Sequence, residues 1–225
     1  SKELTALNYY TNEEITIPLD PTQTPGENAQ RYFAKYNKQK RTFEALTELI
    51  QETADDIQYL ESISNALDIA LSEADLAQIK EELMQSGYIR RKHTKKKVKL
   101  TSKPMHYISS DGYDMYVGKN NLQNEELTFS FANGNDWWFH AKGAPGSHVI
   151  VKSGGDELPD CTFEEAGRLA AYYSKNRGAD KVEIDYIQKK HVKKPNGAKP
   201  GFVVYYTNYS LVIDSDISNI KNVQD

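Results

Sequence analysis

Residues 136–151 read DWWFHAKGAPGSHVIV, and this stretch decides how the second half of the chain folds. Two runs rich in aromatic and β-branched residues flank a Gly-Ala-Pro-Gly turn, a pattern typical of paired strands. Strand alternation predicts that one of Trp137 and Trp138 points inward and its neighbour outward. The rings favour burial, whereas Asp136 and the two histidines need hydrogen-bonding partners or solvent. We therefore interpret the stretch as a recognition surface built on a core.

On both sides of residues 136–151, further strand-like segments are separated by turn residues such as DG, KNNLQN and ANGN. A helix over about 163–176 is predicted from Thr162 and Glu165 as a capping box, with Gly178 closing it. The order of strands, helix and further strands indicates an α+β domain with a mainly antiparallel sheet. The predicted strands are 105–108, 113–117, 127–131, 137–140, 147–151, 182–187, 202–207 and 209–213.

The first part of the chain predicts a long helical arm. A short strand at 15–19 precedes Thr24, Pro25 and Glu27, which predict the start of a helix running to about residue 70. Its apolar residues recur in steps of three and four, which predicts a coiled-coil seam that needs a partner helix or a second copy of the chain. Ser72 and a later glycine bound a second, shorter helix. The seam residues are Phe43, Leu46, Ile50, Ile57, Leu60, Leu67 and Leu71.

These patterns divide the chain into four parts: a β/turn segment at 1–26, the arm and short helix at 27–88, a basic linker at 89–104, and the compact domain at 105–218. The charge is uneven along the chain. Residues 1–86 hold 7 Lys and Arg against 16 Asp and Glu, a net −9, while residues 87–225 hold 21 against 16, a net +5. The asymmetry is typical of a polyanion-binding module joined to an acidic arm.

Cysteine usage and hydropathy bound the class of protein. Cys161 is the only cysteine, so the chain can form neither an intrachain disulfide nor a multi-cysteine metal cage, which fits a reducing compartment. The sequence shows no charged-then-apolar leader and no apolar run of bilayer-spanning length. We expect a soluble, cytoplasmic protein that uses no membrane and no cofactor.

A metal or hydrolytic site is the first chemical alternative, because Asp136, His140, His148 and His191 could converge. Their spacing matches no familiar zinc motif, and the Ser147-His148 pair lacks the Gly-x-Ser-x-Gly elbow of a nucleophile. We therefore expect a non-catalytic protein.

A basic and aromatic surface is the alternative that we favour. Lysines could neutralise phosphates while rings or imidazoles stack on unpaired bases, which favours RNA loops over duplex. The sequence at 193–197 fits two interpretations equally well: a solvated hairpin tip, or a phosphate clamp that Pro195 and Gly197 hold in a fixed turn. The lysines that flank the aromatic stretch are Lys142, Lys152, Lys189, Lys190, Lys193, Lys194 and Lys199.

The stretch at 136–151, read with VGKNNLQNEELTF at 117–129 and VEIDYIQKKHVKKPNGAKPG at 182–201, resembles the RNA-binding domain of the NFACT family. The order and spacing of the three pieces carry the resemblance, which extends from about residue 28 to about 210. It implies an RNA-binding site and favours the clamp reading of the tip. The implied site residues are Lys119, Asn120, Asn121, Asp136, Trp138, Phe139, His140, Lys142, Ser147, His148, Lys189, Lys190, Lys193 and Lys194.

The resemblance also implies a biological role. The family's bacterial members are ribosome-quality-control factors that bind a stalled large ribosomal subunit and tRNA and promote an untemplated alanine tail, so tRNA and the large subunit are the expected partners. The same family is also described as surface adhesins, without a signal peptide, that bind fibronectin or fibrinogen and are linked to virulence. Adhesion is therefore the alternative expectation, with a sheet edge as one means of binding a matrix protein.

Overall fold

A computed structural model describes residues 1–90 and 102–223 of the chain. The predicted basic linker at 89–104 lies largely outside the described residues. The elements are β1 (Glu3–Asn8), β2 (Glu13–Pro18), α1 (Pro25–Ile69), α2 (Glu73–Gln85), β3 (Met105–Ile108), β4 (Asp114–Val117), α3 (Asn121–Glu126), a π-helix (Leu127–Phe131), β5 (Trp137–Ala141), β6 (Val149–Val151), α4 (Asp160–Tyr172), β7 (Val182–Gln188), a 3-10 turn (Lys189–His191), β8 (Tyr209–Ile213) and β9 (Lys221–Asn222).

Two compact units divide the chain, Ser1–Asp56 and Ile57–Asp225. The first contains the antiparallel β1–β2 hairpin and the first part of α1. The predicted capping box is confirmed, because the Glu27 carboxylate accepts a hydrogen bond from the Thr24 backbone N–H at 2.7 Å and the Thr24 hydroxyl accepts one from the Glu27 N–H at 3.3 Å. Asn28 is the buried residue of this unit, and its amide ties Asp20 to the helix.

In the second unit, α2 packs on the end of α1. Tyr59, Ile63 and Ala66 meet Ile79 of α2 in a small apolar cluster. The predicted start of α2 is confirmed by the Ser72–Asp75 capping box. The predicted coiled-coil seam is exposed, from 43% for Leu60 to 71% for Phe43 within α1, and Leu71, which follows the helix, is 82% exposed. Its pairing with a partner helix stays a prediction.

The predicted α+β class with a mainly antiparallel sheet is confirmed. Seven strands form one sheet in the order β8-β7-β5-β6-β4-β3-β9, and every pairing between neighbours is antiparallel. α4 covers one face, where Leu169 and Ala170 pack with Phe139, Val149 and other residues of the main core.

The opposite face of the sheet has its own, smaller core. Trp138, Ile150 and Ile187 project from β5, β6 and β7 and are covered by Leu127 of the π-helix and by Val192. The two adjacent tryptophans therefore lie on opposite sides of the sheet, as alternation requires. The prediction that one of them points outward is wrong, because both sides of the sheet are covered: Trp138 is fully buried and Trp137 is partly buried against the main core.

Two predicted strands are wrong. Residues 127–131 form a π-helix, closed by the Ala132 N–H donating to the Leu127 carbonyl at 2.9 Å. Its alternating apolar and polar residues resemble a strand, but Asn120 caps a helix, α3, directly before it, where a turn at KNNLQN was predicted. Residues 202–207 are irregular apart from a bridge between Lys193 and Val204, because this segment packs across the sheet face.

The predicted N-terminus of α4 is also wrong. The helix begins at Asp160, and the Thr162 and Glu165 side chains do not cap it. Instead, the Thr162 hydroxyl donates to Asp111 at 2.8 Å, and Glu165 accepts the Ser110 backbone N–H at 2.8 Å. These two residues tie the helix to the turn between β3 and β4.

Candidate nucleic-acid interface

The aromatic stretch supplies the interior of the domain. Trp138 and Phe139 of β5 have no exposed surface, so neither ring is open to a ligand. Ser147 is buried as well, and its backbone N–H donates to the Tyr173 carbonyl at 3.0 Å. These residues of the predicted site hold the sheet and the turn after β5.

Two imidazoles stand beside Trp138 on the face opposite α4. His140 lies nearly parallel to the indole, with ring centroids 5.7 Å apart, and His148 lies at 89° to His140 at 5.4 Å. Burial lowers the pKa of His140 from 6.5 to about 4, although the Asp185 carboxylate opposes the shift. Burial and the neighbouring His140 hold the pKa of His148 well below 6.5. Both rings are therefore neutral at pH 7.

Asn124 positions the turn that carries His148. Its side-chain oxygen accepts the His148 backbone N–H at 2.9 Å, and its side-chain nitrogen donates to the Gly146 carbonyl at 3.3 Å. The His148 ring is hydrogen-bonded to the Thr128 hydroxyl at 2.8 Å. Gly118 allows this approach, since a Cβ on Gly118 would lie 2.2 Å from the Asn124 side-chain oxygen. Sequence reasoning missed Asn124 because it lies in the predicted turn.

Asn121 faces the helical part of the unit. Its side-chain nitrogen donates to the Ser62 hydroxyl at 2.7 Å and to a Glu82 carboxylate oxygen at 2.8 Å. Glu82 has no exposed surface, and burial raises the pKa of its carboxyl. Asn121, the first residue of α3, therefore links this helix to α1 and α2.

Lys119 and Asn120 make the same kind of contact. The Lys119 ammonium is 2.7 Å from the Asp75 carboxylate, and the Asn120 side chain donates to Gln78 at 2.8 Å while capping α3. Burial opposes ionisation of Asp75, but hydrogen bonds from Lys119 and Ser102 lower its pKa to about 2. These contacts fix the domain to α2.

One lysine of the predicted phosphate clamp at 193–197 is already paired with a carboxylate of the protein. The Lys194 ammonium is 2.7 Å from both carboxylate oxygens of Glu125. Further along the same loop, the Lys199 ammonium lies 4.5 Å from the Tyr59 ring centre and donates to the Tyr88 hydroxyl at 3.0 Å. The loop is thus attached to α3 on one side and to α1 and the segment just after α2 on the other.

Asp136 is an internal anchor. It is buried, and its carboxylate accepts the Asn133 N–H at 2.7 Å and the Ser153 N–H at 3.2 Å. The same carboxylate forms an ion pair with Lys152. Asp136 therefore fixes the loop after the π-helix and the position of one lysine head.

Other lysines of the predicted site are accessible. Lys142 is exposed but pairs with Glu183 at 2.5 Å. Lys190 and Lys193 are exposed and form no ion pair with any residue of 1–90 or 102–223. The Lys189 ammonium lies 5.8 Å from the Phe129 ring centre. Lys189 and Lys190 lie in the 3-10 turn that follows β7, and Lys193 comes two residues after that turn.

The structure brings these lysines next to two rings that sequence reasoning assigned to a strand, Phe129 and Phe131. The Lys152 ammonium lies 4.8 Å from the Phe131 ring centre. The Lys189 N–H donates to the Asp136 carbonyl at 2.8 Å, and the Lys190 N–H donates to the Gly134 carbonyl at 3.0 Å, so the turn lies against the loop that follows the π-helix. We call Phe129, Phe131, Lys152, Lys189 and Lys190 the basic–aromatic surface.

The residues considered for a metal site do not gather around one point. Asp136 pairs with Lys152, while His191 is exposed on the 3-10 turn. Among the described residues, no three His, Cys, Asp or Glu side chains are grouped so that they could hold a metal ion. No helix within 1–90 or 102–223 combines the length and apolar character needed to cross a membrane.

Two family models match the chain. The model of the NFACT N-terminal and middle domains matches residues 1–102, and the model of the NFACT protein RNA binding domain matches residues 103–207. The first match ends where the second begins, so together they account for most of the chain.

Curated relatives share nearly the whole chain. The Rqc2 homolog RqcH of Streptococcus pneumoniae serotype 2 (strain D39) is 46% identical over 218 residues, and that of Bacillus subtilis (strain 168) is 41% identical over 226 residues. These matches cover 96% and 97% of this chain but 39% of each relative, so the chain spans about two fifths of their length.

A solved structure has the same fold. The C-terminal part of the fibronectin/fibrinogen-binding protein from Streptococcus suis (FBPS) superposes with a TM-score of 0.80 at 43% identity. The superposition covers 89% of this chain and 81% of that one.

Proposed function

Because the chain belongs to the NFACT family, we propose that it is the RNA-binding C-terminal part of a ribosome-quality-control factor that recognises tRNA and the stalled large ribosomal subunit during alanine tailing. In this proposal the chain binds RNA and performs no chemistry of its own. The match covers 39% of the length of the Streptococcus pneumoniae relative, and in this proposal tailing also needs the parts of such a protein that lie outside the matched region.

The display of three lysines after β7 is the observation that carries the proposal. Lys190 and Lys193 are exposed without an ion-pair partner in the described chain, and Lys189 lies beside the Phe129 ring. A lysine already neutralised by a carboxylate gains less from a phosphate, so Lys194 and Lys142 are weaker candidates. The segment lies in the part of the chain matched by the RNA-binding family model.

The buried members of the predicted site have a supporting role in this proposal. Trp138, Phe139 and His148 hold β5 and β6 in place, and Asp136 ties the loop that carries the turn of lysines. His140, only partly buried, is the member of the aromatic stretch that an RNA could still reach.

A salt titration of tRNA binding tests the proposal. The triple variant Lys189→Ala, Lys190→Ala, Lys193→Ala is compared with the control Lys35→Ala, Lys38→Ala, Lys40→Ala on α1, which removes the same charge. Each phosphate contact contributes about 0.7 to 0.9 to the slope of log affinity against log salt, so the first variant should lose about 2 to 3 of slope and the control should keep it. Equal slopes in the two variants would exclude these lysines as the phosphate contacts.

Adhesion is the second candidate, because the Streptococcus suis structure belongs to a fibronectin/fibrinogen-binding protein. Strand addition is the physical route available here, since β8 is an edge strand of the sheet and its Tyr209 and Val212 are 60% exposed. Binding to immobilised fibronectin or fibrinogen is measured in the same buffers. In this second proposal binding persists at high salt and survives the triple lysine substitution, since main-chain hydrogen bonds carry it.

A further inference from the structure

We propose that Phe131 is a stacking platform for an unpaired nucleobase, with Lys189 and Lys190 contacting the phosphates of the same strand. The inference rests on the proposed RNA-binding function and names the form of RNA that the basic–aromatic surface accepts.

The π-helix places the Phe131 ring at the protein surface. Phe131 ends the π-helix and is 41% exposed, whereas Leu127 and Thr128 of the same π-helix are buried. A π-helix widens the turn, and such turns are frequent at functional sites. Here the wide turn lets one short segment bury its first residues in the smaller core and present its last ring outward.

Neighbouring aromatic rings hold the Phe131 ring in place. Tyr116 of β4 meets Phe131 edge-on, with ring centroids 4.7 Å apart at 69°. Tyr116 is itself stacked on His106, at 4.5 Å and 2°. Because an exposed side chain loses rotamer freedom when it binds, a ring that is already held costs less entropy to use. This support distinguishes Phe131 from a scattered exposed apolar residue, which by itself indicates nothing.

Lysine side chains bring positive charge to the Phe131 ring and to the loop that follows it. The Lys152 ammonium lies over Phe131, but Asp136 neutralises it, so Lys152 orients the ring more than it attracts a phosphate. Lys189 and Lys190, which form no ion pair within residues 1–90 and 102–223, supply the remaining positive charge, and their backbones are bound to the loop just after Phe131. An aromatic platform beside such cations is the arrangement that proteins use for single strands.

The shape of RNA selects the unpaired form. Bases inside an A-form duplex are stacked on each other, and the deep, narrow major groove excludes side chains. A single ring such as Phe131 can therefore stack only on a base that is already free, as in a loop or a strand end.

Filter binding with two RNA probes tests the platform on the complete chain. One probe is an oligoadenylate of about 12 nucleotides, and the other is a strand of the same length without bases, which keeps every phosphate. Phe131→Leu keeps an apolar side chain and removes the ring. The control is Phe43→Leu, another exposed phenylalanine, which lies on α1.

Stacking of a base on a ring changes affinity by about tenfold or more. We expect Phe131→Leu to weaken oligoadenylate binding by that factor and to leave the base-free strand within about twofold. Phe131→Tyr, which keeps a ring, should restore the preference for bases, and Phe43→Leu should bind both probes like the unmodified chain. The salt slope should not change in Phe131→Leu, since no phosphate contact is lost.

Two results would overturn the platform: Phe131→Leu weakening both probes equally, or weakening neither. The double variant Lys189→Ala, Lys190→Ala reports separately on the proposed function, because it should weaken both probes alike. If that variant loses binding while Phe131→Leu does not, the RNA surface stands and the platform fails. If the unmodified chain binds neither probe nor tRNA, both proposals fail.

Discussion

His140 and His148 remain uncharged inside the sheet face, and this makes the fold sensitive to acid. The folded-state pKa of His140 is about 4 against 6.5 in the unfolded chain. Above pH 6.5 neither state binds a proton at this ring. Between 6.5 and 4 the unfolded chain binds one and the folded chain does not, so stability falls as the pH falls through this window.

We therefore expect His140 alone to remove about 2 kcal/mol of stability between about pH 7 and about pH 5. Urea denaturation of the unmodified chain and of His140→Gln at both pH values measures the effect. The variant should show a smaller difference between the two pH values, whatever its absolute stability. His191→Gln, at an exposed ring, should retain the full difference; an equal difference in His140→Gln would contradict the assignment.

The close packing at Gly118 supports a second prediction. A methyl group there would lie 3.0 Å from the Asn124 backbone nitrogen as well as against its side chain. Backbone cannot move aside cheaply, so Gly118→Ala should cost about 1 to 3 kcal/mol in urea denaturation. The matched change Gly134→Ala meets only a side-chain atom at 3.6 Å and should cost much less. Similar losses in both variants would contradict the packing argument.

Among the elements, the loop that contains Lys193 and Lys199 separates binding from stability. Lys193 is exposed without an ion pair in the described chain, whereas Lys199 is held by Tyr59 and Tyr88. Lys199→Ala should lower the free energy of unfolding by about 1 to 2 kcal/mol, since a partly buried cation–π contact is lost. Lys193→Ala should leave stability unchanged and weaken tRNA binding. Thermal denaturation and tRNA binding of the two variants check this, and a reversed pattern would refute it.

The elements that sequence reasoning predicted well are those with local signals. The starts of α1 and α2 follow from capping residues three positions apart, and β5 and β7 from alternation between turns. The π-helix was missed because the alternation of Leu127–Phe131 has the period of a strand, although a helix precedes it. Segment 202–207 has strand composition but covers a sheet face, a choice that depends on distant residues.

The same limit applies to the candidate interface. Sequence reasoning selected Lys189, Lys190 and Lys193 because charge is visible in composition, and the structure leaves these lysines as candidates. It could not separate an exposed ring from a buried one, so Phe131 went unnoticed while Trp138 and Phe139 were chosen. Likewise, an asparagine that binds RNA and one that binds Glu82, as Asn121 does, look alike until their partners are known.

The two units of the whole molecule differ in how many of their side chains are buried. In Ser1–Asp56 only Asn28 is buried, whereas the second unit has a continuous core on one side of its sheet and a smaller core on the other. Helices without a packed face open easily. Hydrogen–deuterium exchange should therefore be faster by orders of magnitude in β1, β2 and residues 25–56 than in β5 and β6. Equal protection in a dilute sample would contradict this prediction.

The placement of Trp137 and Trp138 has a practical consequence. They are the only two tryptophans of the chain, and both lie in β5, on opposite sides of the sheet. Tryptophan fluorescence, excited at a wavelength that tyrosine does not absorb, thus reports on the two cores of the second unit and is silent about residues 1–56. Circular dichroism at helical wavelengths also registers α1, which spans Pro25–Ile69. Melting curves from the two probes should therefore disagree wherever residues 1–56 unfold at a different temperature from the second unit, even when each unit unfolds in a single step.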